Sequence, residues 1–285
     1  RDPRAMKWSP RTFRLFSVLL LALGKVVSVQ GQLIINQTQP PATLVQNILM
    51  GPGVFASNVL FTGVPGNVVA PTGSGPSEIG RFYGTNTSLG LNSGVFLCTG
   101  VAASHLAGPN NQENVPGGGV VIGGGSPSMP TPDIDLSHLT GWPNWQVSGG
   151  GNIHSKAVLE FDFVPINDMI SLRYVFTSEE YETWVCSQYN DVFGFFISGP
   201  GIPTNINGPF SNNAMNIALI PNTLSRVSIN SVNSGLMNAA NANGPDWLSP
   251  FQPCFDTDPN WQNNAQYYRY NGGLFTTWTQ TQEPY

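Results

Sequence analysis

The most constraining feature of the sequence is a strict two-residue alternation in Ala157–Val164 (AVLEFDFV). The even-numbered positions hold Val158, Glu160, Asp162 and Val164, and the odd-numbered positions hold Leu159, Phe161 and Phe163. Successive side chains of a strand point to opposite faces, so this pattern predicts a strand with one apolar face and one acidic face. The turn residues Pro165–Asp168 follow, then the apolar run Met169–Thr177, and together they predict a β-hairpin.

Short apolar runs separated by Gly, Pro and Asn continue through most of the chain. Strands are predicted at Leu33–Asn36, Asp191–Ser198, Asn216–Ile220 and Arg226–Val232. One short helix is predicted near the N-terminus, with Thr43 as its cap. Residues 102–156 lack a sustained period and predict a long surface excursion. We therefore expect an all-β fold: a jelly-roll-like antiparallel β-sandwich with long Gly/Pro/Asn-rich loops.

The N-terminal segment differs from the rest of the chain in charge. Residues 1–31 hold six of the 11 basic residues and one of the 16 acidic residues, so residues 32–285 carry a net charge of −10. A surface of that sign repels phosphate backbones, which argues against nucleic acid as a partner. The basic flank and the short apolar run Leu15–Gly24 predict a signal peptide over 1–31, with Met6 as the true start and 1–5 as upstream read-through. An uncleaved membrane anchor is the alternative, although the run is shorter than a bilayer span.

Catalytic signatures are weak in this sequence. There is no G-x-S-x-G motif, no C-x-x-C pair and no phosphate-binding glycine fingerprint. Cys98 precedes His105 by seven residues, but its apolar context favours a buried core cysteine over a nucleophile. The other cysteines are Cys186 and Cys254, and an odd total leaves at least one outside an intramolecular disulfide.

Acidic residues offer three alternatives. The run Ser178–Glu182 contains Glu179 and Glu180, Asp191 begins the next strand, and Asp133 and Asp135 form a D-x-D pair. Carboxylates of this kind can hold calcium, a candidate cofactor that prefers oxygen ligands. Two of them could instead hydrolyse a glycoside, with Glu179, Glu180 and Asp191 as the acidic patch. The third alternative is structural, in which they hydrogen-bond to loop backbone.

Tryptophans in loop-like contexts suggest a binding surface. Six tryptophans fall mostly beside Gly, Pro and Asn: Trp142, Trp145, Trp184, Trp247, Trp261 and Trp278. Exposed tryptophans stack on sugar rings or anchor protein partners. The alternative is that they pack against the ends of the sandwich.

Two long blocks of sequence resemble the choice-of-anchor L domain. The first runs from Thr43 through Gly51–Gly63 to Gly100, and the second is Leu159–Gly201 (LEFDFVPINDMISLRYVFTSEEYETWVCSQYNDVFGFFISGPG). NIALIP and SINSVN, at 216–221 and 228–233, extend the second block. The resemblance covers most of residues 33–275.

The resemblance implies a bacterial, secreted, surface-displayed protein, adhesin-like or structural, with no established enzymatic activity. Many such proteins, especially in Bacteroidetes, are similar to cargo of the type nine secretion system. The resemblance also implies a Cys186–Cys254 disulfide, and it leaves the role of Cys98 open. The closing strand expected of the family does not follow Tyr285, so we expect a C-terminally truncated domain over 32–285, with its anchor missing.

We therefore expect a non-catalytic domain at the cell surface or outside the cell, whose partner is an extracellular glycan or protein surface. The first alternative is a calcium-dependent carbohydrate-binding module, and the second is a polysaccharide hydrolase.

Overall fold

The computed structural model describes residues 33–63, 68–69, 78–85, 87, 89–99, 133–140, 153, 156–178, 181, 184–204, 206–237 and 249–269. These described residues contain ten short strands: β1 Ile34–Asn36, β2 Phe55–Thr62, β3 Val68–Val69, β4 Ile79–Tyr83, β5 Ser93–Leu97, β6 Val158–Val164, β7 Val192–Phe193, β8 Phe196–Ile197, β9 Met215–Asn216 and β10 Val227–Ser228.

The helices are short. They are α1 Pro41–Leu44, which continues as a π-helical turn Val45–Leu49, α2 Ile134–Leu139 and α3 Gln252–Thr257, with 3-10 turns at Ser211–Asn213 and Trp261–Tyr267. The strands form two three-stranded sheets, β1-β4-β5 and β3-β2-β6, and two strand pairs, β10-β7 and β8-β9. Every one of these pairings is antiparallel. The predicted all-β fold, an antiparallel β-sandwich, is confirmed.

The alternation in β6 is confirmed as well. Glu160, Asp162 and Val164 are exposed, whereas Leu159 and Phe163 are partly buried. The predicted partner of β6 is wrong, because β6 pairs with β2 and Met169–Thr177 forms no strand. The pairing has a bulge between Ser57 and Leu60 of β2.

The two larger sheets meet in one apolar cluster. Leu44 of α1, Phe61 of β2 and Ile79 of β4 are fully buried against each other. The helix begins at Pro41, whose missing N–H costs nothing in the first turn. Thr43 lies inside α1, so its predicted role as the cap is wrong.

Strand β4 leaves no room for a side chain at Gly80. A Cβ there would lie 2.5 Å from the carbonyl oxygen of Asn36 and 2.7 Å from the ring of Phe96. We therefore expect Gly80→Ala to lower the free energy of unfolding by about 1–3 kcal/mol, measured by chemical denaturation. Gly51→Ala is the matched control, because nothing lies within 4 Å of a Cβ at Gly51. Equal stability of the two variants would contradict the packing described for β4.

Candidate functional site

A disulfide joins the acidic and aromatic loop to a helix distant in sequence. Cys186 and Cys254 of α3 are 68 residues apart in sequence, and their Cα atoms are 4.8 Å apart. Both are fully buried. The predicted Cys186–Cys254 pairing is confirmed, and Cys98 lies outside this bond, half-buried beside the apolar cluster of Leu33 and Phe82. We call residues 178–191 the disulfide loop.

The disulfide loop lies on an apolar cluster. Tyr181 and Val185 from the loop pack with Ile229, Trp261 and the two bonded cysteines. Trp261 is fully buried. For this tryptophan the packing alternative is therefore correct, and the binding alternative is not. The loop is thus held by side-chain burial as well as by the covalent bond.

Asn230 fixes the backbone at the cysteine. Its side-chain oxygen accepts the N–H of Cys186 at 2.7 Å, and its side-chain nitrogen donates to the carbonyl of Ser187 at 3.1 Å. Cys186 has a φ of 58°, a left-handed conformation that is costly for a residue with a Cβ. Because Asn230 is fully buried, both bonds are protected from water. The sequence offers no signal for this residue beyond its place in SINSVN.

Further polar contacts tie the disulfide loop to two other segments and join its own two ends. The hydroxyl of Tyr181 donates to the carbonyl of Val232 at 2.7 Å. The side chain of Asn190 donates to the carbonyl of Thr140 at 2.8 Å, next to α2. The hydroxyl of Ser178 contacts Asp191 Oδ2 at 2.7 Å, which joins the two ends of the loop. The described part of the loop is therefore held at several points by hydrogen bonds of its own side chains.

An aromatic pair lies in the same loop. The rings of Trp184 and Tyr189 meet edge to face, with 5.1 Å between their centroids. Tyr189 is 48% exposed, while Trp184 is partly buried. A half-exposed tyrosine on a packed tryptophan is an aromatic contact surface of the type that binds sugars or proteins. Trp142 and Trp145 lie outside the described residues, so their predicted role is untested.

Each predicted acidic ligand that the structure describes has a partner within the fold. Asp133 caps α2 by accepting the N–H of Leu136 at 3.0 Å, and it forms an ion pair with Lys156 at 3.1 Å. Asp135 accepts the N–H of Ser211 at 2.7 Å. These contacts are structural and hold α2 in place.

Two of the predicted acidic residues, Glu179 and Glu180, lie outside the described residues. Among the residues that are described, no group of three or more His, Cys, Asp or Glu side chains is arranged to hold a metal ion. The calcium site and the acidic hydrolase patch stay predictions.

Helix α2 lies inside the region that the sequence predicted as a loose excursion. Its signals were present: Asp133 at the N-cap, Asp135 in the first turn and His138 in the last turn. Beside α2, an open surface pocket of about 360 Å³ is lined by Leu139, Leu224, Ser225, Arg226, Asp256 and Thr257. The guanidinium of Arg226 donates to the carbonyls of His138 and Asn207, and burial lowers its pKa. Arg226 therefore holds α2 against its neighbours.

Comparison with known families decides what kind of domain this is. The family model for the choice-of-anchor L domain matches residues 33–282, nearly the whole chain. The chain belongs to the choice-of-anchor L domain family. No curated protein and no solved structure matches it.

The choice-of-anchor L domain family consists of surface-associated domains and is not an enzyme family. As a member, this chain is a surface or secreted protein. Among the described residues, no helix has the length and apolar character that crossing a membrane requires. The predicted signal peptide over 1–31 lies outside the described residues.

Proposed function

We propose that this choice-of-anchor L domain is an adhesive or scaffolding module that acts outside the cytoplasm, with the disulfide loop as its contact surface. The observation that carries the proposal is the aromatic pair Trp184–Tyr189 on a loop fixed by the Cys186–Cys254 disulfide. The proposal agrees with the surface-associated character of the family.

The disulfide supports the extracellular setting. Disulfides persist in oxidising compartments and are rare in the cytosol, where thiols are kept reduced. A buried bond between Cys186 and Cys254 therefore fits a protein exported by the signal peptide predicted over 1–31.

Rigidity supports the role of the disulfide loop in binding. Ordering a flexible loop on association costs free energy, and a preorganised loop avoids most of that cost. The buried side chain of Asn230 and the hydroxyl of Tyr181 already hold the backbone of the loop. Tyrosine and tryptophan are enriched among the residues that dominate binding energy. Glu179, Glu180 and Glu182, next to the aromatic pair in sequence, add negative charge that selects against acidic partners.

Adhesion can be measured with protein-coated beads on surfaces coated with a neutral glycoprotein or with a neutral bacterial polysaccharide. We expect the double variant Trp184→Ala/Tyr189→Ala to reduce bead retention about tenfold or more, because each aromatic anchor contributes on the order of 1–2 kcal/mol. Tyr267→Ala is the matched control, since Tyr267 is 40% exposed and lies outside the disulfide loop. Full retention by the folded double variant would refute the loop as the contact surface.

A second candidate function is the calcium-dependent carbohydrate-binding module. The half-exposed ring of Tyr189 beside Trp184 favours it, because the faces of aromatic rings are the usual stacking partners of sugars. Retention on polysaccharide that disappears with a calcium chelator and returns with added calcium would identify this function. Release of reducing sugar ends that stops in Glu180→Gln would identify the hydrolase instead.

A further inference from the structure

The segment 169–177 (MISLRYVFT) has the sequence of a strand, yet it belongs to no described strand. β-Branched and aromatic residues of this kind favour strands. Met169 is 79% exposed, and Ile170 and Val175 are exposed as well. Within the described part of the chain, neither the sheet ladders nor the other backbone hydrogen bonds include a residue from 165 to 177. We call 169–177 the open strand.

Strands β7 and β8 have an unused backbone edge. On one side, β7 pairs with β10 and β8 pairs with β9. The carbonyls of Asp191 and Phe195 accept backbone N–H groups on that side. Because successive residues of a strand direct their backbone groups to alternate edges, three residues between Asp191 and Ile197 face the other edge: Val192, Gly194 and Phe196. No described residue forms a backbone hydrogen bond with these three at that edge.

Side chains set one register between the open strand and this edge. The ring of Phe176 lies 6.3 Å from that of Phe193 in β7, measured between centroids. The hydroxyl of Ser178, two residues further on, contacts Asp191 Oδ2 at 2.7 Å, two residues back from Phe193. Opposing residues of an antiparallel pair follow this rule. The ring of Tyr174 is 4.7 Å from that of Phe193, as a diagonal neighbour in the same register would be.

Other side-chain contacts keep the open strand beside β7. Phe176 packs against the apolar cluster of Trp261 and the disulfide. The guanidinium of Arg173 donates to the carbonyl of Gly90 at 3.1 Å. The open strand is therefore aligned with a free sheet edge by its side chains, while the backbone groups of both remain unbonded to each other.

We propose that the open strand closes onto the free edge of β7 and β8 as an antiparallel strand, so that the disulfide loop becomes the loop of a β-hairpin. The register set by Phe176 and Phe193 gives three hydrogen-bonded pairs: Arg173 with Phe196, Val175 with Gly194, and Thr177 with Val192. Closure adds backbone hydrogen bonds at the base of the disulfide loop. The inference stands apart from the adhesive function, since it concerns how the domain completes a sheet.

Hydrogen exchange followed by NMR tests the pairing in the purified chain without any substitution. We expect the amides of Arg173, Val175 and Thr177 to exchange about 100-fold more slowly than in an unfolded chain. The amides of Leu172 and Tyr174 face away from β7 in this register, so they should exchange about tenfold faster than those three. This alternation should be the same at every protein concentration.

An engineered disulfide tests the register. Leu172 and Ile197 oppose each other in a non-hydrogen-bonded pair, whose side chains lie close enough for such a bond. In a Cys98→Ala background, we expect Leu172→Cys/Ile197→Cys to form a new disulfide on mild oxidation, identified by mass spectrometry of its peptides. Ile170→Cys/Ile197→Cys is the matched control, because Ile170 is 44% exposed and Leu172 39%, and Ile170 lies two residues out of register. The control should cross-link about tenfold less.

Three results would overturn the proposal: uniformly fast exchange from 172 to 177, equal cross-linking of the two cysteine pairs, or protection that grows with protein concentration. The last result would show that a second copy covers the open strand. If the cysteine variants fold poorly, the exchange pattern of the unsubstituted chain decides.

Discussion

Replacing both Cys186 and Cys254 by alanine is expected to lower the free energy of unfolding by about 4 kcal/mol. The bond closes a loop of 68 residues, and a cross-link of that length removes much of the conformational entropy of the unfolded chain. The backbone of Cys186 also holds a left-handed conformation, which the bond and Asn230 together maintain. Urea denaturation of oxidised wild type and double variant measures the difference.

Cys98→Ala is the matched control for the disulfide. Cys98 is half-buried and lies outside the bond, so its replacement should cost about 1 kcal/mol or less. Reducing agent should destabilise the wild type and Cys98→Ala alike, and should leave the double variant unchanged. A double variant as stable as Cys98→Ala would show that the loop is held by packing alone.

Trp261→Ala is expected to lower the free energy of unfolding by about 3–5 kcal/mol, because it empties the centre of the cluster beneath the disulfide loop. Trp261 is fully buried, with the ring of Phe255 edge to face at 6.0 Å and that of Phe251 stacked at 6.4 Å. Chemical denaturation gives the magnitude. Hydrogen exchange of the Cys186 amide, which donates to Asn230, shows whether the loop loosens at the same time.

Trp261→Phe separates packing from hydrogen bonding at this position. The indole N–H of Trp261 is buried and has no hydrogen-bond partner in the described structure, so losing it removes no bond. We expect Trp261→Phe to cost clearly less than Trp261→Ala. An equal cost for both variants would mean that the indole N–H has a partner after all.

Sequence patterns predicted the class of this fold better than its pairings. The alternation in Val158–Val164 identified the exposed face of β6 correctly, because alternation reports local geometry. The turn residues at Pro165–Asp168 predicted the wrong partner, since the true partner, Phe55–Thr62, lies about a hundred residues earlier. Local signals carry no information on contacts at that separation.

In the candidate site, too, local features could be predicted from the sequence and distant contacts could not. Asp133 had a recognisable position before a helix, yet the surrounding glycines and prolines concealed α2. The contribution of Asn230 depends on a cysteine 44 residues away, so no local pattern could predict it. The pairing of Cys186 with Cys254 came from the family resemblance, because three cysteines alone leave the choice open.

The pairing of β2 with β6 has a kinetic consequence. These strands come from opposite halves of the domain, so their sheet cannot form until the chain has been synthesised as far as Val164. Closing so long a loop is entropically slow, and folds dominated by distant contacts reach the native state in milliseconds to seconds. During this interval the side chain of Phe61 is exposed to water, and a chaperone that binds unfolded chains would recognise it.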